Sequence, residues 1–216
     1  MAHGELRVTL LIALTFATGS VDAVSYLTLD QVFTANMTGN VALLGFAAAG
    51  HGEVPLLRTG IALLGFVAGA VAAGRLTRHT APAGGWPARI SVALGGSTAL
   101  LLLVVVVWPV ASRDALAGLL GLAMGLQGGA VRRLGVADLP TTVITSTLTA
   151  LAVGEPPRRR RRLAAPVALL AGAVAGALLI HWHPVLGLLP ALATQVAVLA
   201  AAGAVPGAGR RPRAAG

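Results

Sequence analysis

Cysteine and lysine are both missing from this chain of 216 residues, and charge of either sign is scarce. Without cysteine there is no disulfide framework, no thiolate nucleophile and no thiolate metal site. Charged residues make up 11% of the chain, against about 25% in an ordinary soluble domain. Hydrophobic residues reach 56%, with a mean hydropathy of +0.83, so lipid replaces water as the main solvent. Aromatic residues are only 4%, which leaves thin interfacial belts with Trp86, Trp108 and Trp182 as candidates. Catalytic signatures are missing too: there is no Gly-x-Ser-x-Gly, no His-Glu-x-x-His and no P-loop. The expectation is therefore a protein that is not an enzyme and uses no cofactor. His181-Trp182-His183 does not suggest a metal, because His residues at i and i+2 diverge on a helix and no third ligand lies nearby.

The net charge of +9 is carried by sixteen arginines. Most stand in short gaps between apolar runs, as topology determinants do. A nucleic-acid interface would gather them on a soluble domain instead. Arg158–Arg162, with Arg132 and Arg133, suits contact with anionic lipid headgroups. The bilayer is thus an expected partner and nucleic acid is not.

Eight apolar segments are present: Val8–Leu29, Phe33–Gly50, Pro55–Gly74, Ile90–Val110, Asp114–Val131, Leu139–Val153, Leu163–Ile180 and Pro184–Ala204. About 20 residues are needed to cross a bilayer. Val8–Leu29 is too long for the h-region of a cleavable signal peptide and leads directly into a polar motif. Phe33–Gly50 and Leu139–Val153 are short and polar. The first holds Thr34, Asn36, Thr38, Gly39 and Asn40, with Asp22 and Ser25 just upstream; the second holds Thr141, Thr145 and Thr147. In lipid an unsatisfied polar group costs several kcal/mol, so such groups are hidden, paired or used. Asn and Thr both donate and accept, and Gly39 permits close approach, which suits a small solute or a cation. Asp22 is the one carboxylate deep in an apolar segment and is a candidate proton carrier. The competing reading is interhelical glue.

The chain also repeats. Gly65 and Gly69 match Gly172 and Gly176 at an offset of 107, which also sets Thr34 on Thr141, Thr38 on Thr145, Asn40 on Thr147 and Ser20 on Gln127. Residues 1–110 and 111–204 read as two membrane repeats and 205–216 as a basic disordered tail. The glycine pairs either pack the halves together or form a homodimer seam. If all eight segments cross, five arginines (Arg75, Arg78, Arg89, Arg132 and Arg133) fall outside. If the two short polar segments enter and leave on one face, only Arg58 and Arg113 do. The positive-inside rule favours the second arrangement. The fold expected is all-α: a polytopic transmembrane bundle of six spans plus two half-span or re-entrant segments, built as two inverted repeats.

Two strings carry a resemblance. Gly19-Ser20-Val21-Asp22-Ala23-Val24-Ser25-Tyr26-Leu27 and Val32-Phe33-Thr34-Ala35-Asn36-Met37-Thr38-Gly39-Asn40-Val41 look like the signature of the YoaK-type bacterial membrane proteins, a family of unknown function. Met124-Gly125-Leu126-Gln127, Arg132-Arg133-Leu134-Gly135 and Thr141-Thr142 resemble it in the second half. This chain departs from the family's tendency at Gln127-Gly128 and at Thr145-Ser146. The resemblance implies an integral inner-membrane protein. Combined with the polar segments, the expected function is small-solute transport, proton-coupled through Asp22, at a midplane site drawn from Asp22, Ser25, Thr34, Asn36, Thr38, Gly39, Asn40, Gln127, Thr141, Thr145 and Thr147. Both termini are expected in the cytoplasm. The alternatives are a scaffold protein and a lipid-modifying membrane enzyme.

Overall fold

The computed structural model describes residues 2–50, 55–79, 86–134 and 159–203. Among them are seven α-helices and no strand: α1 (Ala2–Thr28), α2 (Met37–Ala48), α3 (Leu56–Thr77), α4 (Ala88–Val107), α5 (Arg113–Arg133), α6 (Arg159–Ile180) and α7 (Leu189–Gly203), with a 3-10 turn at Pro184–Leu188 before α7. Helix is the form that satisfies every backbone group within one segment, as apolar surroundings require. Six of the helical segments are long and apolar enough to cross a membrane, the last combining the 3-10 turn with α7. The exception is α2, whose 12 residues rise only about 18 Å, well short of a hydrocarbon core of about 30 Å.

Helix ends follow their local chemistry. Ser112 caps α5 by accepting from the Ala115 amide at 3.2 Å, and Asp114 follows in the first turn. Arg132 and Arg133 close its last turn. Beyond α1, Asp30 and Gln31 both adopt left-handed backbone, at φ 57° and 63°, and turn the chain back. Buried hydroxyls of Thr15, Thr18 and Thr77 donate to the carbonyl four residues earlier, which satisfies their one proton within their own helix.

Ion pairs fix which ends lie together. Arg58, at the start of α3, pairs with Asp30 and, through Nε, with Asp114 at 2.7 Å. Arg113 reaches Asp30 at 2.8 Å. The end of α1 and the starts of α3 and α5 therefore share one end of the bundle. At the opposite end Arg7 donates to the Leu134 carbonyl at 2.8 Å, and Arg89 donates to the Leu76 carbonyl at 3.2 Å. The chain from Phe33 to Gly50 thus leaves and returns on one face, as the arginine distribution favours. With no native cysteine, this is directly measurable: Ala49→Cys and His79→Cys should react with a membrane-impermeant maleimide from opposite sides, and Val110→Cys from the side of Ala49. Labelling of the Ala49 and His79 variants from one side would overturn the six-crossing arrangement.

Two glycine-lined seams hold the halves together. Between α1 and α6, a Cβ at Gly19 would collide with the Leu169 carbonyl, and one at Gly172 with the Phe16 carbonyl. Between α3 and α5, a Cβ at Gly125 would strike the Phe66 carbonyl, and one at Gly69 the Leu122 carbonyl. Both pairs run parallel, since Phe16 and Ser20 meet Gly172 and Gly176 while Gly65 and Gly69 meet Gly118 and Leu122. From the shared ends above, α1 and α6 point one way and α3 and α5 the other. The halves are inverted repeats that exchange a helix. The glycine pairs take equivalent places in the two seams: Gly65 and Gly69 meet Gly118 and Leu122 as Gly172 and Gly176 meet Phe16 and Ser20.

Central burial belongs to α1, with 67% of its span inside, against 22% for α3 and 17% for α6. The outer faces of those two helices expose Leu64, Val67 and Val71, and Val167, Leu170 and Val174, as lipid-facing surfaces do. Trp86, expected at an interface, is instead buried, its indole N–H donating to Ser91 Oγ at 2.9 Å. Trp182 is exposed. The segment Leu139–Val153, with Thr141, Thr145 and Thr147, and the tail 205–216 lie outside the described residues.

Candidate functional site

Asp22 lies six residues before the end of α1, about 9 Å along the axis, so it sits inside the helix and nearer the Asp30 end than the middle. Its Oδ1 accepts from the backbone amides of Thr34 at 3.1 Å and Ala35 at 2.8 Å. A carboxylate on a helix thereby holds the irregular chain that follows, whose amides have no ladder of their own. Behind it, Thr34 Oγ1 donates to Ser25 Oγ at 3.2 Å, and Ser25 Oγ donates to the Asp22 carbonyl at 3.2 Å. Thr34 and Ser25 are buried and form a supporting layer.

Asn40 is also fully buried. Its Oδ1 accepts from the Phe33 amide at 3.0 Å and its Nδ2 donates to the Phe33 carbonyl at 2.5 Å. The side-chain amide pairs with both backbone groups of one residue, as a neighbouring strand would. Asn36 does something different: it caps α2, accepting from the Gly39 amide at 3.4 Å, and stays exposed. Gly39 is required because a Cβ there would lie 2.9 Å from the Phe33 ring.

These contacts shape an open pocket of about 700 Å³ between α1, α6 and the turn into α2. Asp22, Asn36, Thr38 and Gly39 line it, and so do four residues that sequence reasoning passed over: Thr18, Gly19, Tyr26 and Phe33. The rings of Tyr26 and Phe33 stack at 4.8 Å between centroids. Helical spacing was the available signal, since Thr18 and Tyr26 stand one turn either side of Asp22. Leu169 and Ala173 close the far wall from α6, 147 and 151 residues beyond Asp22 in the chain. Asp22 is the one charged residue among the lining.

Gln127 does not join this pocket. It belongs to a buried polar chain across four helices. Gln195 Nε2 donates to Gln127 Oε1 at 2.7 Å, and Gln127 Nε2 donates to Thr18 Oγ1 at 3.0 Å. Thr98 Oγ1 donates to Gln195 Oε1 at 2.8 Å, while Ser97 Oγ donates to the Ala123 carbonyl at 2.8 Å. This satisfied network behaves as glue between α1, α4, α5 and α7. Thr18 is common to both features, so the pocket wall is tied to the core.

Among the described residues no group of three or more His, Asp or Glu side chains could hold a metal.

Comparison with known proteins agrees with this architecture. The chain is 36% identical over 157 residues to the UPF0700 transmembrane protein YoaK of Bacillus subtilis (strain 168), covering 70% of this chain and 68% of that one. No solved structure matches. Residues 10–205 match the family described as protein of unknown function (DUF1275). With nearly the whole chain matched, and with six helices able to cross a membrane, this is an integral membrane protein of the DUF1275 family.

Proposed function

We propose that this protein is a small-solute transporter of the bacterial inner membrane, multi-pass with both termini in the cytoplasm, and that Asp22 couples transport to protons. It moves its solute without chemical change. The observation that carries the reading is the open pocket into which a membrane-embedded carboxylate faces, bounded by helices from both inverted repeats. Ionisable groups at membrane depth are expensive and mark ion and substrate paths. Inverted repeats suit alternating access, because rocking one repeat against the other changes the face to which a shared site opens. Here α1 belongs to one repeat and α6 to the other, so the pocket's two long walls come from different halves. The fourteen-to-two distribution of arginines supports cytoplasmic termini.

The test is flux in proteoliposomes under an imposed pH gradient, with an internal pH dye and an unbiased solute panel. Wild-type protein should show proton movement that depends on a particular solute. Asp22→Asn keeps an oxygen to accept from Thr34 and Ala35 and should abolish that movement. Coupled flux undiminished in Asp22→Asn would remove Asp22 from the mechanism; no solute-dependent flux from the folded wild type would overturn transport.

A further inference from the structure

We propose that the Asp22 pocket takes a lipophilic organic cation, an aromatic or alkyl-substituted amine or quaternary onium ion, held between the Asp22 carboxylate and the stacked rings of Tyr26 and Phe33. This inference rests on the transporter reading for its biological meaning, but the ligand chemistry follows from the lining alone. The pocket carries one negative charge and no arginine or histidine among its lining residues. The arginines at that end of the bundle, Arg58 and Arg113, are engaged by Asp30 and Asp114. An anion therefore finds no partner, and burying one beside Asp22 adds like-charge repulsion.

A zwitterion could place its ammonium on Asp22, but its own carboxylate would need donors. The amides of Thr34 and Ala35 are spent on Asp22, and that of Gly39 on Asn36, which leaves a second carboxylate only neutral side chains such as Asn36 and Thr38 and no cation. Most of the remaining wall is apolar: Ala23, Leu27, Ala42, Leu169 and Ala173. A cation with apolar substituents matches the one charge and the apolar majority of this surface. Its charge meets the carboxylate and the ring faces, which attract cations most strongly when desolvated. Its substituents meet the alanines and leucines. A volume of about 700 Å³ accommodates a ligand of several rings. Access is also consistent: Leu27, on the pocket wall, is 58% exposed, and α6 beside it presents an apolar outer face, so a ligand dissolved in the bilayer reaches the pocket directly.

Binding of tetraphenylphosphonium to the purified full-length protein in nanodiscs tests this, with tetraphenylborate as the anionic probe of matched shape and triphenylphosphine oxide as the neutral one. The phosphonium should bind saturably, with both other probes weaker by about tenfold or more. Asp22→Asn should lose about as much affinity, and Tyr26→Leu, which leaves the carboxylate in place, should lose part of it. Acidification should weaken binding of the phosphonium, because a proton on Asp22 competes with it. Equal binding of the oxide, or phosphonium affinity unchanged in Asp22→Asn, would overturn the inference. The two readings separate cleanly. Asp22-dependent binding without flux in proteoliposomes keeps this inference and defeats transport. Coupled flux of a neutral or zwitterionic solute, with no Asp22-dependent phosphonium binding, keeps transport and defeats this inference.

Discussion

Gly172→Ala and Gly69→Ala are each expected to cost most of the folded protein, while Gly74→Ala and Gly60→Ala leave it intact or slightly more stable. The chemical change is one methyl group in all four variants. At Gly172 that methyl would occupy the space of the Phe16 carbonyl, and at Gly69 that of the Leu122 carbonyl. Neither obstacle is a side chain that can swing away. The helices must separate, and everything along the seam loses contact together. Overpacking a core typically costs about 1–3 kcal/mol, and collision with backbone belongs at or above the top of that range. At Gly74 and Gly60 nothing lies within 4 Å of the added carbon. There the substitution only raises helix propensity, worth up to about 1 kcal/mol. The check is the fraction of protein eluting as a single sharp size-exclusion peak in mild detergent, together with its thermal midpoint. Indistinguishable behaviour of the four variants would sink the seam argument. A severe loss at Gly172 with none at Gly69 would sink the pairing of the two seams as equivalents.

The glycines also show where the sequence was legible. Both pairs are visible as small residues four apart, and their role in packing follows from residue type alone. Their register does not. In segments such as Leu64–Ala73 and Leu170–Leu179 nearly every residue is Ala, Gly, Val or Leu, so an offset of 107 and one of 103 both align small residues. Both offsets also set glycine against a facing carbonyl, because the small residues recur every four positions along each seam. Topology was easier, because Arg58 and Arg113 are rare charges and rare charges carry position. The pairing of Gln127 with Gln195 was invisible for a different reason. Each is a lone amide in an apolar run, and nothing in either run says which polar group it meets across the bundle. Leu169 and Ala173 were beyond reach as pocket residues, since a wall made of alanine and leucine looks like any other lipid-compatible surface. Asp22 and the turn after α1 stood out because polar groups inside apolar segments are costly wherever they point.

Residue type could not separate Asn36 from Asn40, four positions apart in the same motif, and they are expected to behave very differently when replaced. Asn40→Leu should disrupt the polar turn, whereas Asn36→Ala should leave it folded. Removing the Asn40 amide strands both the N–H and the C=O of Phe33 in a half-buried position. Each unsatisfied group costs about 1–3 kcal/mol, so together they threaten a segment that α2 anchors with few other contacts. Asn36 gives up only a long N-cap bond to Gly39 in an exposed position, a loss of about 1 kcal/mol at most. Limited proteolysis of the 30–36 turn, alongside the thermal midpoint, reads the difference: Asn40→Leu should be cut readily and melt lower, and Asn36→Ala should resemble the wild type in both. Phe33 moves with Asn40, so Asn40→Leu should also unstack Tyr26 and open the pocket wall. Loss of ligand binding in Asn40→Leu therefore reports architecture, and a change in ligand selectivity in Asn36→Ala, with stability unchanged, reports contact with the ligand itself. Equal protease resistance of the two variants would mean that the Phe33–Asn40 pairing does not hold the turn, and that Asp22 alone carries it.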